Sequence, residues 1–202
     1  AGMLLISTIT TLKHTGAAFA AHRALQQIAK LCFSDNINSD VQHLTKQWIA
    51  RLLGEISEAE KIRDSTLRRS TGHALVFLAI MRSEVSSRVA HRPLCHAVLT
   101  DVLRLSLPPK KSLHSFKESI GLGQESGTPM FSFLSDDSIR PIQEGHYEVQ
   151  SRIHALNVLR LMILDAPLSQ EVFPIIGDAI TAAIIGYTDS SWAVRNSSTM
   201  VF

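Results

Sequence analysis

Apolar residues in this chain recur every three to four positions along most of its length and almost nowhere alternate one by one. That pattern argues against a sheet-based fold, because a half-buried strand repeats every two residues and a helix every 3.6. Leu25, Ile28, Ala29 and Cys32 share one helical face. Val41, Leu44, Trp48, Leu52 and Ile56 share a second, entered through Ser39-Asp40 as an N-cap. Leu94, Val98, Val102 and Leu105 make a third, closed by Pro108-Pro109. Val149, Ile153, Leu156 and Ile163 make a fourth, whose other face is filled by Val158, Leu161 and Met162, so this helix is expected to be buried on two sides. Val172, Ile175, Ile176, Ala179, Ile180, Ala183 and Ile184 follow helical spacing as one core-facing stripe. Pro167 ends the helix before it, and Pro174 is expected to kink it near its start.

Helices of roughly 15–20 residues joined by short turns favour antiparallel pairs stacked side by side. The expected fold is all-α: a degenerate HEAT/armadillo-like helical-repeat solenoid with one long mobile loop. A compact bundle is the alternative. Residues 1–107 and 146–202 would be helical repeats of one solenoid, separated by a flexible loop at 108–145 that is rich in Ser, Gly, Asp and Pro. Phe131 to Leu134 could dock that loop back on the helices. The core vocabulary fits: 45% of residues are hydrophobic but only 6% aromatic, so Leu, Ile, Val and Ala fill the interior.

Net charge of +2 argues against a strongly basic nucleic-acid binder, and no DNA partner is expected. The charge is uneven, with seven Lys/Arg against three acids between Glu60 and Arg92. Cys32 and Cys95 are too few for a disulfide framework and are expected to be reduced thiols in a cytoplasmic protein. Gly2 to Leu12 is apolar but lacks the basic head of a signal peptide. The nearest approach to a membrane span, Val172 to Tyr187, carries Asp178, so no membrane association is expected. A start at Ala-Gly and an end inside an apolar pattern suggest an internal piece of a longer protein.

The stretch most in need of explanation is Arg68-Arg69-Ser70-Thr71-Gly72-His73-Ala74, which opens into Leu75 to Met81. Two helix starts are open here. Ser57 with Glu60 forms a capping-box pattern, and Asp64-Ser65-Thr66 offers caps before Leu67. Under the second, Arg68 and Arg69 sit in the first helical turn. Cations there oppose the helix dipole at about 0.3–1 kcal/mol each. Gly72 costs about 1 kcal/mol relative to alanine, which suits a point where another backbone comes close. Arginine forks also suit carboxylate or phosphate. A solvated arginine pair beside a helix crossing accounts for the same pattern without a ligand.

Other groupings are weaker. His91, Cys95 and His96 lack the fourth ligand of a zinc site, so no metal is expected. Gly121 to Gly127 has no strand before it and no Lys-Ser/Thr after it, unlike a phosphate loop. Asp136-Asp137 lacks calcium-loop spacing. No nucleophile–base grouping stands out, so neither catalytic residues nor a cofactor is expected. Trp192, Arg195 and Asn196 form a secondary binding candidate, with Asp189 or Ser190 capping their helix. A tryptophan wedging the next repeat is the simpler reading of Trp192, ahead of direct stacking on RNA.

Three blocks resemble signatures of the thyroid-adenoma-associated (THADA) protein family: Leu67 to Ala74 running on to Met81-Arg82-Ser83-Glu84, Arg152 to Arg160 with Asp165, and Gly186 to Thr199. The family pattern at the first block is closer to R-R-S-A-G-L-P. Thr71, His73 and Ala74 depart from it, while Arg68, Arg69 and Gly72 keep it. The resemblance implies a non-catalytic regulatory α-solenoid. Its partner would be an FtsJ-type tRNA 2′-O-methyltransferase catalytic subunit acting on the anticodon loop at nucleotide 32. It also implies that Arg68 to Ala74 serve that activity by touching partner, tRNA or neighbouring repeats, with direct tRNA contact left open. A general protein-interaction adaptor without an RNA role is the alternative.

Overall fold

The first helix, α1 (Gly2–Thr11), is rich, in its second half, in β-branched Ile and Thr, which favour strands. Ile6 and Ile9 bury one face, and Thr8 and Thr11 donate their hydroxyls back to the carbonyls of Leu4 and Ser7 at 2.7 and 2.8 Å. Packing thus overrides weak local propensity. The computed structural model describes residues 1–12, 14–34, 39–57, 70–87, 92–108 and 149–202. The expected loop beyond residue 108, Phe131 to Leu134, Gly121 to Gly127, Asp136-Asp137, His91, Arg68 and Arg69 lie outside the described residues.

Among the described residues the regular structure is entirely helical. After α1 come α2 (Thr15–Cys32), α3 (Ser39–Ser57), α4 (Ser70–Ser86), α5 (Pro93–Ser106), α6 (Val149–Ile163), α7 (Ile176–Tyr187) and α8 (Trp192–Val201). Between α6 and α7 lie a 3-10 turn at Ala166–Leu168, one turn of α-helix at Ser169–Val172 and a second 3-10 turn at Phe173–Ile175. Pro167 and Pro174 sit in the two 3-10 turns, so the chain breaks its helix where proline removes a backbone donor.

Alternate helices lie side by side. α2, α4, α6 and α8 form one row, each touching the next, and α3, α5 and α7 form another. α1 packs against α2 and α4, and α6 against α3 and α5. One apolar core runs from Ile6 on α1 to Ile185 on α7. α4 is its centre: Ala74 to Met81 are all buried, in consecutive order. A helix apolar on every side has to be surrounded, and α4 touches α1, α2, α5 and α6. α6 is buried on both faces, as its sequence predicts.

Ser57 is the last residue of α3 and its hydroxyl donates to the Gly54 carbonyl, while its capping-box partner Glu60 and the alternative caps Asp64-Ser65-Thr66 lie outside the described residues. Two expectations are corrected. The stripe on α7 is only half covered. Ala179, Ala183 and Val172 are buried, but Ile176, Ile180 and Ile184 are 38–44% exposed. Periodicity identified a shared face, but not whether anything lies against it. The apolar run is also longer than expected. Ala166–Tyr187, 22 residues, is long and apolar enough by composition to cross a bilayer. It is nonetheless split at two prolines and buries Leu168, Val172, Ala179, Ala182 and Ile185 in the core.

Candidate functional site

The described part of the Arg68–Ala74 segment faces inward. Ser70 and Thr71 begin α4, with their side chains outside the described residues. Gly72 is buried, and a Cβ there would lie 2.6 Å from the Ile9 carbonyl oxygen and 2.8 Å from the Thr10 Cα. Both atoms are backbone and cannot step aside, so glycine lets α1 cross α4 at this point. Ala74 is buried. His73 lies edge-on to His154 of α6, ring centroids 5.0 Å apart, and its Nε2 is 3.6 Å from the Glu55 carboxylate on α3. Burial first, and the His73 neighbour second, lower His154 to about 4, so it is neutral near pH 7.

The three sequence blocks converge on α6. The Arg82 guanidinium on α4 donates to Asp165 just past the end of α6. Asp165 is buried, so the arginine offsets a carboxylate otherwise stripped of water. Arg152 on α6, itself buried, donates to Asp189 in the turn between α7 and α8. Its Nε also reaches the Ser106 carbonyl at the end of α5 at 3.3 Å. The Asp189 carboxylate further accepts the Ser191 N–H at 2.7 Å. Asp189 therefore orders the turn rather than capping α8, whose N-cap is Ser191. This corrects the expectation of Asp189 or Ser190 as the cap.

A fourth carboxylate works across helices. Glu84 near the end of α4 is buried, and its two oxygens accept the backbone N–H groups of Leu94 (3.0 Å) and Cys95 (2.6 Å). These are first-turn donors of α5, which Pro93 opens and which has no side-chain cap of its own. Burial raises the Glu84 pKa, against the pull of those two hydrogen bonds. His22 of α2 adds a further tie, its Nδ1 meeting the Leu75 carbonyl on α4 at 2.8 Å.

The basic bias between Glu60 and Arg92 is partly cancelled in space. Arg82 pairs with Asp165, and Arg92 pairs with Glu171, both acids lying far along the chain. The other five cations of that window lie outside the described residues.

The secondary candidates divide. Arg195 is committed to local structure, its Nη1 donating to the Asp189 and Ser190 carbonyls at 2.7 and 2.9 Å. Trp192 is 64% exposed and Asn196 is exposed. They sit on α8, with α6 between them and α4 in the row. Cys95 is buried with its thiol pushed up to about 12, by desolvation first and by the Glu84 carboxylate second. Burial raises Cys32 as well. Neither is a ready thiolate, which both nucleophilic attack and metal ligation require. Among the described residues, no group of three or more His, Cys, Asp or Glu is placed to hold a metal.

Sequence reasoning did not assign the roles of Arg82, Glu84, Arg152 and Asp165, and placed Asp189 only as a candidate cap. The available signal was a lone charge inside an apolar helical run, as in Ile80-Met81-Arg82-Ser83-Glu84-Val85. Such a charge has to be paired if the run is buried.

The model of the family described as THADA/TRM732, DUF2428, matches residues 1–193. The tRNA (32-2′-O)-methyltransferase regulator THADA of chicken (Gallus gallus) is 28% identical over 193 residues. Its mouse (Mus musculus) counterpart is 28% identical over 195 residues, and the human (Homo sapiens) one 27% over 194. In each case the match covers 94% of this chain and 8% of the relative. No solved structure matches the chain. The chain belongs to the THADA/TRM732 family and corresponds to a small part of its relatives' length.

Proposed function

We propose that this chain is part of a non-catalytic scaffold that supports 2′-O-ribose methylation of the tRNA anticodon loop at nucleotide 32. An FtsJ-type catalytic subunit would supply the chemistry, and the two rows of helices would be a section of an α-solenoid. The observation that carries the reading is the match, over 94% of the chain, to proteins named as regulators of a tRNA (32-2′-O)-methyltransferase. The geometry is compatible with it. Several charged residues of the three blocks join helices: Arg82 to Asp165, Arg152 to Asp189, Glu84 to the start of α5. A group held in this way is poorly placed to move a proton or attack a substrate, but well placed to fix a surface.

Arg68 and Arg69 remain the residues proposed to serve the partner or tRNA, working from a base fixed by Gly72 and His73. The test replaces both with alanine in the full-length protein. Anticodon-loop ribose methylation should fall at least tenfold while the helical content is unchanged. Normal methylation with the catalytic subunit still bound would remove the arginines from the mechanism. The same measurement with co-purified tRNA separates loss of partner from loss of RNA.

A further inference from the structure

Of the charged side chains in the three blocks that the structure describes, all but one have a partner. Arg82 and Asp165 hold each other, as do Arg152 and Asp189; Glu84 caps α5, and Arg195 holds two carbonyls. Arg160, in the last turn of α6, is the exception. It is half-buried, its Nε is buried, and it donates to none of the described residues. A cation at this end of a helix commonly holds the final carbonyls, and the Arg160 Nε holds none. A buried donor without an acceptor is costly, and an incoming acceptor would offset that cost.

We propose that Arg160 is the centre of a phosphate-binding face for RNA on the row α2, α4, α6 and α8, flanked by Arg23 and Lys30 of α2. The proposal rests on the reading of the chain as part of a tRNA-methylation scaffold and says which of its side chains would hold the RNA backbone. Three observations support it. First, the exposed charge of the row has one sign. α2, α6 and α8 contain no acid, and the one acid of α4, Glu84, is buried. The row α3, α5 and α7 instead carries Asp40, Glu55, Asp101 and Asp178. Second, the flanking cations are available. Arg23 and Lys30 are exposed and donate to none of the described residues. Arg23 and Arg82 both bear on the His22 ring, which places them about one point, and Asp165 cancels Arg82 alone. Third, α6 already has a row neighbour on each side, α4 and α8, so Arg160 is not at an end of the row. Trp192 and Asn196 stand exposed on α8 beside it. An indole that can stack on a base favours RNA over an acidic peptide.

The test measures binding of a fluorescently labelled, unmodified tRNA transcript to the full-length protein by anisotropy over a range of salt. Arg160→Gln should weaken binding about three- to tenfold at physiological salt, and Arg160→Lys should recover part of the loss because it keeps the charge. The exposed pair Arg23→Gln and Lys30→Gln leaves the half-buried position untouched. It should lower the slope of log affinity against log salt by about 1–2, and all three substitutions together by about 2–3. An unchanged slope in the pair and in the triple variant would overturn the proposal. So would unaltered tRNA binding with weaker capture of the catalytic subunit, which would assign Arg160 to a protein partner. Absence of tRNA binding by the unaltered protein, alone and with its catalytic subunit, would overturn it too. No methylation is read, so the two readings fail separately: tRNA held through Arg160 without support of methylation keeps this face and removes the scaffold role.

Discussion

The seam joining α4 to α6 and the outer flank of α7 are both rich in apolar side chains, yet they solve opposite problems. Across the seam Arg82 pairs with Asp165, and on the other side of α6 the buried Arg152 pairs with Asp189 of the α7–α8 turn. On the flank of α7, isoleucines of the same kind stand half in solvent with no charge interleaved. Apolar burial is cheap to achieve and carries no direction, whereas a buried ion pair is costly to make and fixes one geometry. The seam therefore holds a unique arrangement, and the flank holds capacity for contact.

That contrast can be broken most severely at Arg152. Asp189→Asn leaves the guanidinium buried without its counter-charge, and unfolding in urea should show a loss of about 3–5 kcal/mol. A loss below about 1 kcal/mol would mean that water reaches the pair and that the seam is no more constrained than the flank.

Acid should produce the next largest effect. His154 has a folded-state pKa of about 4 against an ordinary 6.5. The unfolded chain therefore takes up a proton as pH falls through 6.5 while the folded chain does not. Stability should decline from pH 7 and be lower by about 3 kcal/mol at pH 4, and His154→Gln should flatten that slope. His22, also lowered by burial, adds in the same direction. An unchanged slope in the variant would place the acid sensitivity elsewhere.

Trp192→Ala, at the exposed edge, should change stability by under about 0.5 kcal/mol by thermal unfolding. A larger loss would show Trp192 packed against the fold and sharpen the boundary between seam and edge.

The helices were mostly legible in the sequence because their periodicity is local. Leu25, Ala29 and Cys32 on α2 and Leu52 and Ile56 on α3 are buried as their spacing predicts. α1 falls within the expected helical stretch 1–107 but showed no stripe of its own, because Ile6, Thr8, Ile9 and Thr10 are weak helix formers that pack against α2 and α4. The candidate segment was legible in part. Gly72 meets another backbone, as its cost in a helix suggested, but the identity of that backbone, Ile9-Thr10, lies sixty-odd residues away in no local pattern. The ion pairs have the same character. Arg82 and Asp165 are 83 residues apart and Arg152 and Asp189 are 37 apart, so no window of sequence contains the reason for either.

Glu84 carries a consequence for how such a protein can be cut and rearranged. Repeat proteins gain and lose whole units because each unit contacts only its immediate neighbours. Here the first turn of α5 is completed by a carboxylate that belongs to α4. A deletion or a graft with its border between Ser87 and Arg92 would strand two backbone donors on one side and a buried acid on the other. The heritable module in this stretch is therefore the α4–α5 pair, and recombination that respects helix ends but not this shared terminus should yield chains that do not fold.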